Sequence, residues 1–215
     1  RWTPLLQGPR MIVVNVPEFV LRAYEVEGTQ VRVRASMKVI VGKALDTRTP
    51  LFDESMRFVE FSPYWNVPPS IARKELVPRL RRDPAWFSQQ GFEFVGPSGR
   101  VVDSLSAATL DAVLQGGWRI RQRPGKHNAL GDIKFVFPNN QNIYLHHTPA
   151  PQLFQRERRD FSHGCIRVED PVGLARFVLQ DSPDWTEERI REAMEAGQSR
   201  TVALKKPLPD LIAYS

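Results

Sequence analysis

The sequence predicts an α+β fold, mainly β with a smaller helical share, and three observations predict it. β-branched and alternating runs fill residues 11–61 and return at 133–146. Capped segments with helical periodicity occupy residues 70–117 and the stretch after 170. Gly, Pro and Asn punctuate the joins, as expected where short strands meet tight turns. At 215 residues the chain is long enough for one domain with a real core and an inserted subdomain.

Taken in order, Met11-Ile12-Val13-Val14-Asn15-Val16 is a β-branched run and Phe19 to Glu25 a second. Glu27-Gly28-Thr29 makes a hairpin turn into Val31 to Val41, which ends at Gly42, and Arg57 to Phe61 alternates as a further strand. The texture changes at Tyr64-Trp65-Asn66-Val67-Pro68-Pro69, after which the signals are mainly helical as far as Gly117. Asp83-Pro84 supplies a cap followed by proline at the first helical position, Gly91 is a stop, and Leu105 to Leu114 ends at Gly116-Gly117. This stretch, 64–117, reads as an insertion into a β-rich chain and as a cover for a cleft. Strands resume at Ile133 to Phe137 and, after Pro138-Asn139-Asn140, at Ile143 to His146. Asp170-Pro171 opens a helix through Leu179, and Thr186-Glu187-Glu188 opens another that closes at Gly197, with its acids at the positive end. Thr201 to Leu204 and Leu211 to Tyr214 read as two short strands.

Composition narrows the function classes. No apolar run approaches the roughly 18 residues of a transmembrane helix. The net charge of +6 favours an anionic partner, but no nucleic-acid fold signature accompanies it, and no nucleic acid is expected to bind. The basic clusters are Arg79 to Arg82, read as a solvated face, with Arg119 to Lys126 and Arg156 to Arg159, which lie nearer the motif below. A single cysteine cannot form an internal disulfide, so Cys165 is either a buried small hydrophobe or a reactive thiol.

Its neighbours favour the thiol. His146 stands at a strand end, and Ser162-His163-Gly164-Cys165-Ile166-Arg167 follows after fifteen intervening residues. A free thiol with a pKa of about 8.5 is mostly protonated at neutral pH, and a histidine within reach takes that proton. A glycine beside the nucleophile lets backbone N–H groups converge on a developing oxyanion. A zinc site is the sober alternative, but His163-Gly164-Cys165 is too tight for ordinary ligand spacing and no carboxylate completes the set, so neither metal nor cofactor is expected. From the residues alone the base stays open among His146, His147 and His163.

This spaced motif resembles the signature of L,D-transpeptidases of the YkuD type. The similarity extends through Val39 to Gly42, Thr49-Pro50-Leu51-Phe52, Pro63 to Pro68, Asn128-Ala129-Leu130-Gly131 and Ile143 to His146, and it points to the large Gram-negative subgroup with an inserted lid. The resemblance implies a YkuD-type sandwich or barrel-like core over residues 1–215, with 64–117 as a helical lid, belonging to a longer parent chain. It implies a catalytic group of Cys165 as nucleophile, His146 as base oriented by a backbone carbonyl near His147, His163 and Gly164 around the oxyanion, and Arg167. Ser162, Tyr64, Trp65, Asn66, Tyr144, His147 and Asn128 are the substrate-side residues it suggests. The partners implied are peptidoglycan stem peptides, with carbapenems as covalent inhibitors, in the periplasm. His147 stands where relatives often carry aspartate. Two other outcomes keep the same residues: a peptidase in which water resolves the thioester, and a wall-binding module without catalysis.

Overall fold

The structure, a computed structural model, describes residues 9–41, 52–137, 144–147 and 165–213. Twelve strands and six α-helices are found among them: β1 (Arg10–Asn15), β2 (Val20–Glu27), β3 (Gln30–Val41), β4 (Phe52–Phe61), β5 (Trp65–Asn66), α1 (Pro69–Ile71), α2 (Val77–Arg82), α3 (Ala85–Gln89), β6 (Phe92–Val95), β7 (Val101–Val102), α4 (Ala107–Leu114), β8 (Arg119–Gln122), β9 (Ile133–Val136), β10 (Tyr144–His146), β11 (Cys165–Val168), α5 (Pro171–Val178), α6 (Glu187–Glu195) and β12 (Arg200–Ala213). A π-helical stretch, Ala72–Leu76, joins α1 to α2. The fold is therefore α+β, as the patterning predicts. No helix among the described residues is long and apolar enough to cross a membrane.

Eight strands close a barrel in the order β1-β12-β4-β9-β10-β11-β3-β2. Its interior follows the period-2 alternation: Ile12 and Val14 of β1 face Leu21 and Ala23 of β2, and Met37, Val39 and Val41 of β3 complete that wall. α5 and α6 add Leu174, Phe177, Val178 and Ile190 to the same core. Both helices start as the sequence predicts, with Asp170 accepting from the Gly173 N–H (3.0 Å) and Thr186 from the Arg189 N–H (3.3 Å). The two short C-terminal strands expected are one continuous strand, β12, parallel to β1 and antiparallel to β4. A register shift between Ala203 and Leu208 accommodates Pro207 without ending the strand, and pairing resumes at Leu208 and Pro209.

The middle of the chain forms a second core. Trp65, Leu76, Leu80, Phe87, Phe92, Phe94 and Ile120 pack there, with Ala129 and Leu130 at its edge. The helical reading of this stretch was incomplete: β6 and β7 join β5 and β8 in a four-stranded sheet, order β5-β8-β6-β7. Phe92-Glu93-Phe94-Val95 alternates after the Gly91 stop, and Gly99 takes φ +82° in the turn before β7. The second core also runs past residue 117, since β8 and Leu130 belong to it.

Two buried amides organise the end of this module, and one of them reaches back to the chain leaving β4. Asn128, with no exposed surface, donates to the carbonyls of Pro63 (2.9 Å), Gln122 (3.3 Å) and Arg123 (3.0 Å) and accepts from the Leu130 N–H (2.8 Å). Gln122 donates to the Gln90 and His127 carbonyls and accepts from the Ala129 N–H. Asn128→Ala leaves several buried backbone groups unpaired and is expected to cost about 3 kcal/mol. Denaturant unfolding checks this, and a cost under about 1 kcal/mol would show that the junction tolerates water in place of the amide.

Candidate active site

β10 and β11 run parallel with Tyr144 opposite Cys165, Leu145 opposite Ile166 and His146 opposite Arg167. Because strand faces alternate, Leu145 and Ile166 belong to the barrel core, and positions 144, 146, 165 and 167 share the other face. The register thus brings the predicted nucleophile position and the predicted base onto one face of adjacent strands. Ser162, His163 and Gly164 lie outside the described residues, and Cys165 is described by its backbone.

His146 is 1% exposed. Its Nδ1 lies 2.5 Å from the His147 carbonyl oxygen, so Nδ1–H donates and Nε2 keeps its lone pair. Burial, and next the Arg167 guanidinium, hold its pKa down to about 3, and the bond to the His147 carbonyl opposes this only in part. His146 is therefore neutral at any physiological pH. The Tyr144 ring lies 5.8 Å from that of His146 and carries the Lys134 ammonium on its face at 4.3 Å. Tyr144 also packs against the second core, which links the inserted module to β10.

His147 is anchored from the other side. Its N–H donates to the Ile133 carbonyl (3.1 Å), and its Nδ1 accepts from the Asp132 N–H (3.3 Å). The Asp132 carboxylate stands 3.8 Å from the same nitrogen. Burial lowers the His147 pKa and raises that of Asp132, while their attraction opposes both shifts. Gly131 precedes this contact at φ +68°, a conformation that glycine adopts without cost. A Cβ there would sit 2.7 Å from His147 Nδ1 and 2.9 Å from its carbonyl carbon and oxygen.

The remaining candidates divide. Trp65 is a core residue of the inserted module at 6% exposure, and Asn128 is enclosed in the junction, so neither side chain faces a cleft. Asn66 is exposed, and Tyr64 is half-buried beneath Arg121. Arg167 is 5% exposed and lines a cleft of about 440 Å³ together with His147, Phe19, Val39, Ile40 and Val168. Gly131 and Asp132 were not singled out for the site by sequence reasoning. The only signal for them was the turn Asn128-Ala129-Leu130-Gly131 directly before a strand.

Comparison with known proteins gives this arrangement a family. The YkuD family, the L,D-transpeptidase catalytic domain, matches residues 9–189. A Haemophilus influenzae protein named "Putative L,D-transpeptidase" is 31% identical over 203 residues, covering 94% of this chain and 40% of that protein. This chain therefore spans well under half of that relative's length. Shorter similarities, 24% identical over 83 and 84 residues, reach epoxide hydrolase 1 of Sus scrofa and of Oryctolagus cuniculus, each covering 39% of this chain and 18% of the enzyme. A family match across most of the chain, over a barrel whose paired strands carry Cys165 and His146, means that this chain belongs to the L,D-transpeptidase catalytic domain family.

Proposed function

We propose that this chain is a cysteine acyltransferase that cross-links peptidoglycan stem peptides. The observation that carries the reading is the parallel register of β10 and β11, together with a His146 kept neutral and oriented by the His147 carbonyl. The Cys165 thiol attacks the carbonyl carbon of diaminopimelate in a donor tetrapeptide stem, and His146 Nε2 takes its proton. The C–N bond to the terminal D-alanine then breaks, and the imidazolium returns the proton to the departing amine. A thioester remains on Cys165. The side-chain amine of an acceptor diaminopimelate attacks it, a new amide forms, and the thiol is regenerated with the proton that the amine loses.

In this reading backbone N–H groups around His163, Gly164 and Cys165 stabilise the oxyanion, and His163 and Ser162 shape the site. Arg167 orders the strand pair or meets a substrate carboxylate. The inserted module, including the Tyr64–Asn66 entry, acts as a lid that keeps water from the waiting thioester. The substrate places the protein in the periplasm of a Gram-negative envelope, in the lid-bearing subgroup of the family, with carbapenems as acylating inhibitors.

The test is mass spectrometry after exposure to a carbapenem, with Cys165→Ala beside the parent protein. A mass increase by one drug molecule is expected in the parent only, together with muropeptide dimers when donor and acceptor stems are supplied. An adduct that survives Cys165→Ala would remove Cys165 as the nucleophile. An adduct with monomeric hydrolysis products alone would make the protein a peptidase.

A further inference from the structure

The inserted module holds a charge asymmetry that the acyl-transfer chemistry leaves unused. Residues 64–130 contain ten Lys and Arg against five Asp and Glu, so this stretch carries five of the six net positive charges. Some of these cations are engaged within the module: Arg81 pairs with Asp111 at 2.6 Å, and Arg79 lies on the Trp86 ring at 4.1 Å. Arg121 is held differently.

Arg121 sits on β8, with Asn66 of β5 opposite it on one side and Glu93 of β6 opposite it on the other. These three positions, with Arg119 two residues back, occupy the sheet face that does not pack into the second core. The alternate positions Trp65, Gln122, Ile120, Phe92 and Phe94 turn inward or into the junction. Glu93 is 5% exposed, a buried carboxylate whose Oε1 stands 3.5 Å from Arg121 Nε. The guanidinium carbon lies 4.3 Å from the centroid of the Tyr64 ring. Arg121 keeps 26% of its side chain exposed, and the exposed Asn66 and Arg119 flank it on that face. A surface arginine with no task gains little from such support, because exposed ion pairs are weak and a buried carboxylate is costly. A planar fork pre-oriented in this way is suited to bidentate capture of a carboxylate.

We infer that Arg121, oriented by Glu93 and Tyr64, binds a free carboxylate of the acidic stem peptide on the face of the inserted sheet turned away from the second core. The inference rests on the peptidoglycan reading for the identity of the acid. It assigns Arg121 to binding and specificity, with Glu93 as its positioning residue, and it takes no part in acyl transfer.

The experiment measures binding of an acidic tetrapeptide stem and of the same stem with its carboxylates converted to carboxamides. The protein is the Cys165→Ala form, so that no turnover intervenes. The acidic stem is expected to bind about tenfold more tightly than the carboxamide, and Arg121→Gln to abolish that preference while leaving carboxamide affinity unchanged. Arg121→Lys should keep part of the preference, and Glu93→Gln should reduce it with intermediate effect. If Arg121→Gln retains the parent's preference, or if the parent shows none, the inference is overturned. Should Arg121→Gln fail to fold, as thermal unfolding would report, Arg121→Lys and Glu93→Gln decide the matter by the same comparison. Carbapenem acylation of the parent protein, with Cys165 intact, tests the transferase reading separately: its absence would sink that reading and leave the binding result standing.

Discussion

Gly131→Ala is expected to lower acylation of Cys165 by at least two orders of magnitude and to destabilise the protein by several kcal/mol. Part of the stability loss is intrinsic, since an alanine at φ +68° costs about 1–2 kcal/mol. The larger part is a collision with backbone: the new Cβ would lie 2.9 Å from the carbonyl carbon and oxygen of His147. That oxygen is the acceptor that fixes His146 Nδ1–H and leaves Nε2 free. The backbone must move to relieve the contact, and a shift of about 1 Å at a catalytic group costs on the order of a hundredfold in rate. Gly99→Ala is the matched control, because Gly99 has φ +82° with nothing within 4 Å of the added atom. It should lose about 1 kcal/mol of stability and no acylation rate. Carbapenem acylation kinetics and thermal unfolding of both variants check the pair. A Gly131→Ala protein that is destabilised yet acylates normally would show that the His147 carbonyl does not govern the base.

Asp210→Asn is expected to stabilise the protein at neutral pH, by an amount that grows as pH rises. Asp210 lies on β12 between Leu208 and Ile212, both core residues, and faces Ile12 across β1; the exposed Glu54 is its partner position on β4. It is 3% exposed, and neither carboxyl oxygen makes a hydrogen bond of good geometry. Burial raises its pKa well above the usual carboxylate range, and the nearby Met56 N–H offsets this only in part. The unfolded chain releases this proton above a pH of about 3.9, whereas the folded chain keeps it. Stability is therefore lost at about 1.4 kcal/mol per pH unit as pH rises through that window. Asparagine has no proton to retain, so the difference between variant and parent should widen from pH 4 upward. Urea unfolding at pH 4.5, 5.5 and 6.5 measures it, and a constant difference would mean that Asp210 ionises normally in the fold.

His146 acts with the opposite sign. Its folded pKa of about 3 lies below the unfolded value of about 6.5, so the unfolded chain gains a proton as pH falls through that interval and the fold does not. This contribution is present above pH 6.5 and is lost toward pH 3. Over the shared interval the two buried groups offset one another. The Asp210→Asn protein should accordingly be the more acid-sensitive of the two relative to its own stability at pH 7.

Much of this was legible in the chain. The β-branched runs, the Asp170 and Thr186 caps and the spacing from His146 to Cys165 are local signals, and local physics sets them. The sheet in the inserted module was not, because Phe92 to Val95 is too short to separate from a buried helical turn by periodicity. The continuity of β12 was hidden by Pro207 and Pro209, residues rare inside strands; here Pro207 falls in a register shift and Pro209 is paired just past it. Asn128 looked like a substrate-side residue because a polar side chain beside a turn has the same sequence appearance whether it faces solvent or a ring of backbone carbonyls. Gly131 and Arg121 matter through residues distant in sequence, His147 in one case and Glu93 with Tyr64 in the other, and no window of neighbouring residues contains that information.

The place of β12 in the barrel has a consequence for how the protein is made. Residues 200–213 bridge β1, the first strand of the described chain, and β4, so the ring cannot close until nearly all of it has left the ribosome. Until then β1 and β4 each present an open edge on which a stray strand can settle. Pairings between such distant segments fold slowly, and a slow, open-edged intermediate is exposed to misassembly until β12 arrives.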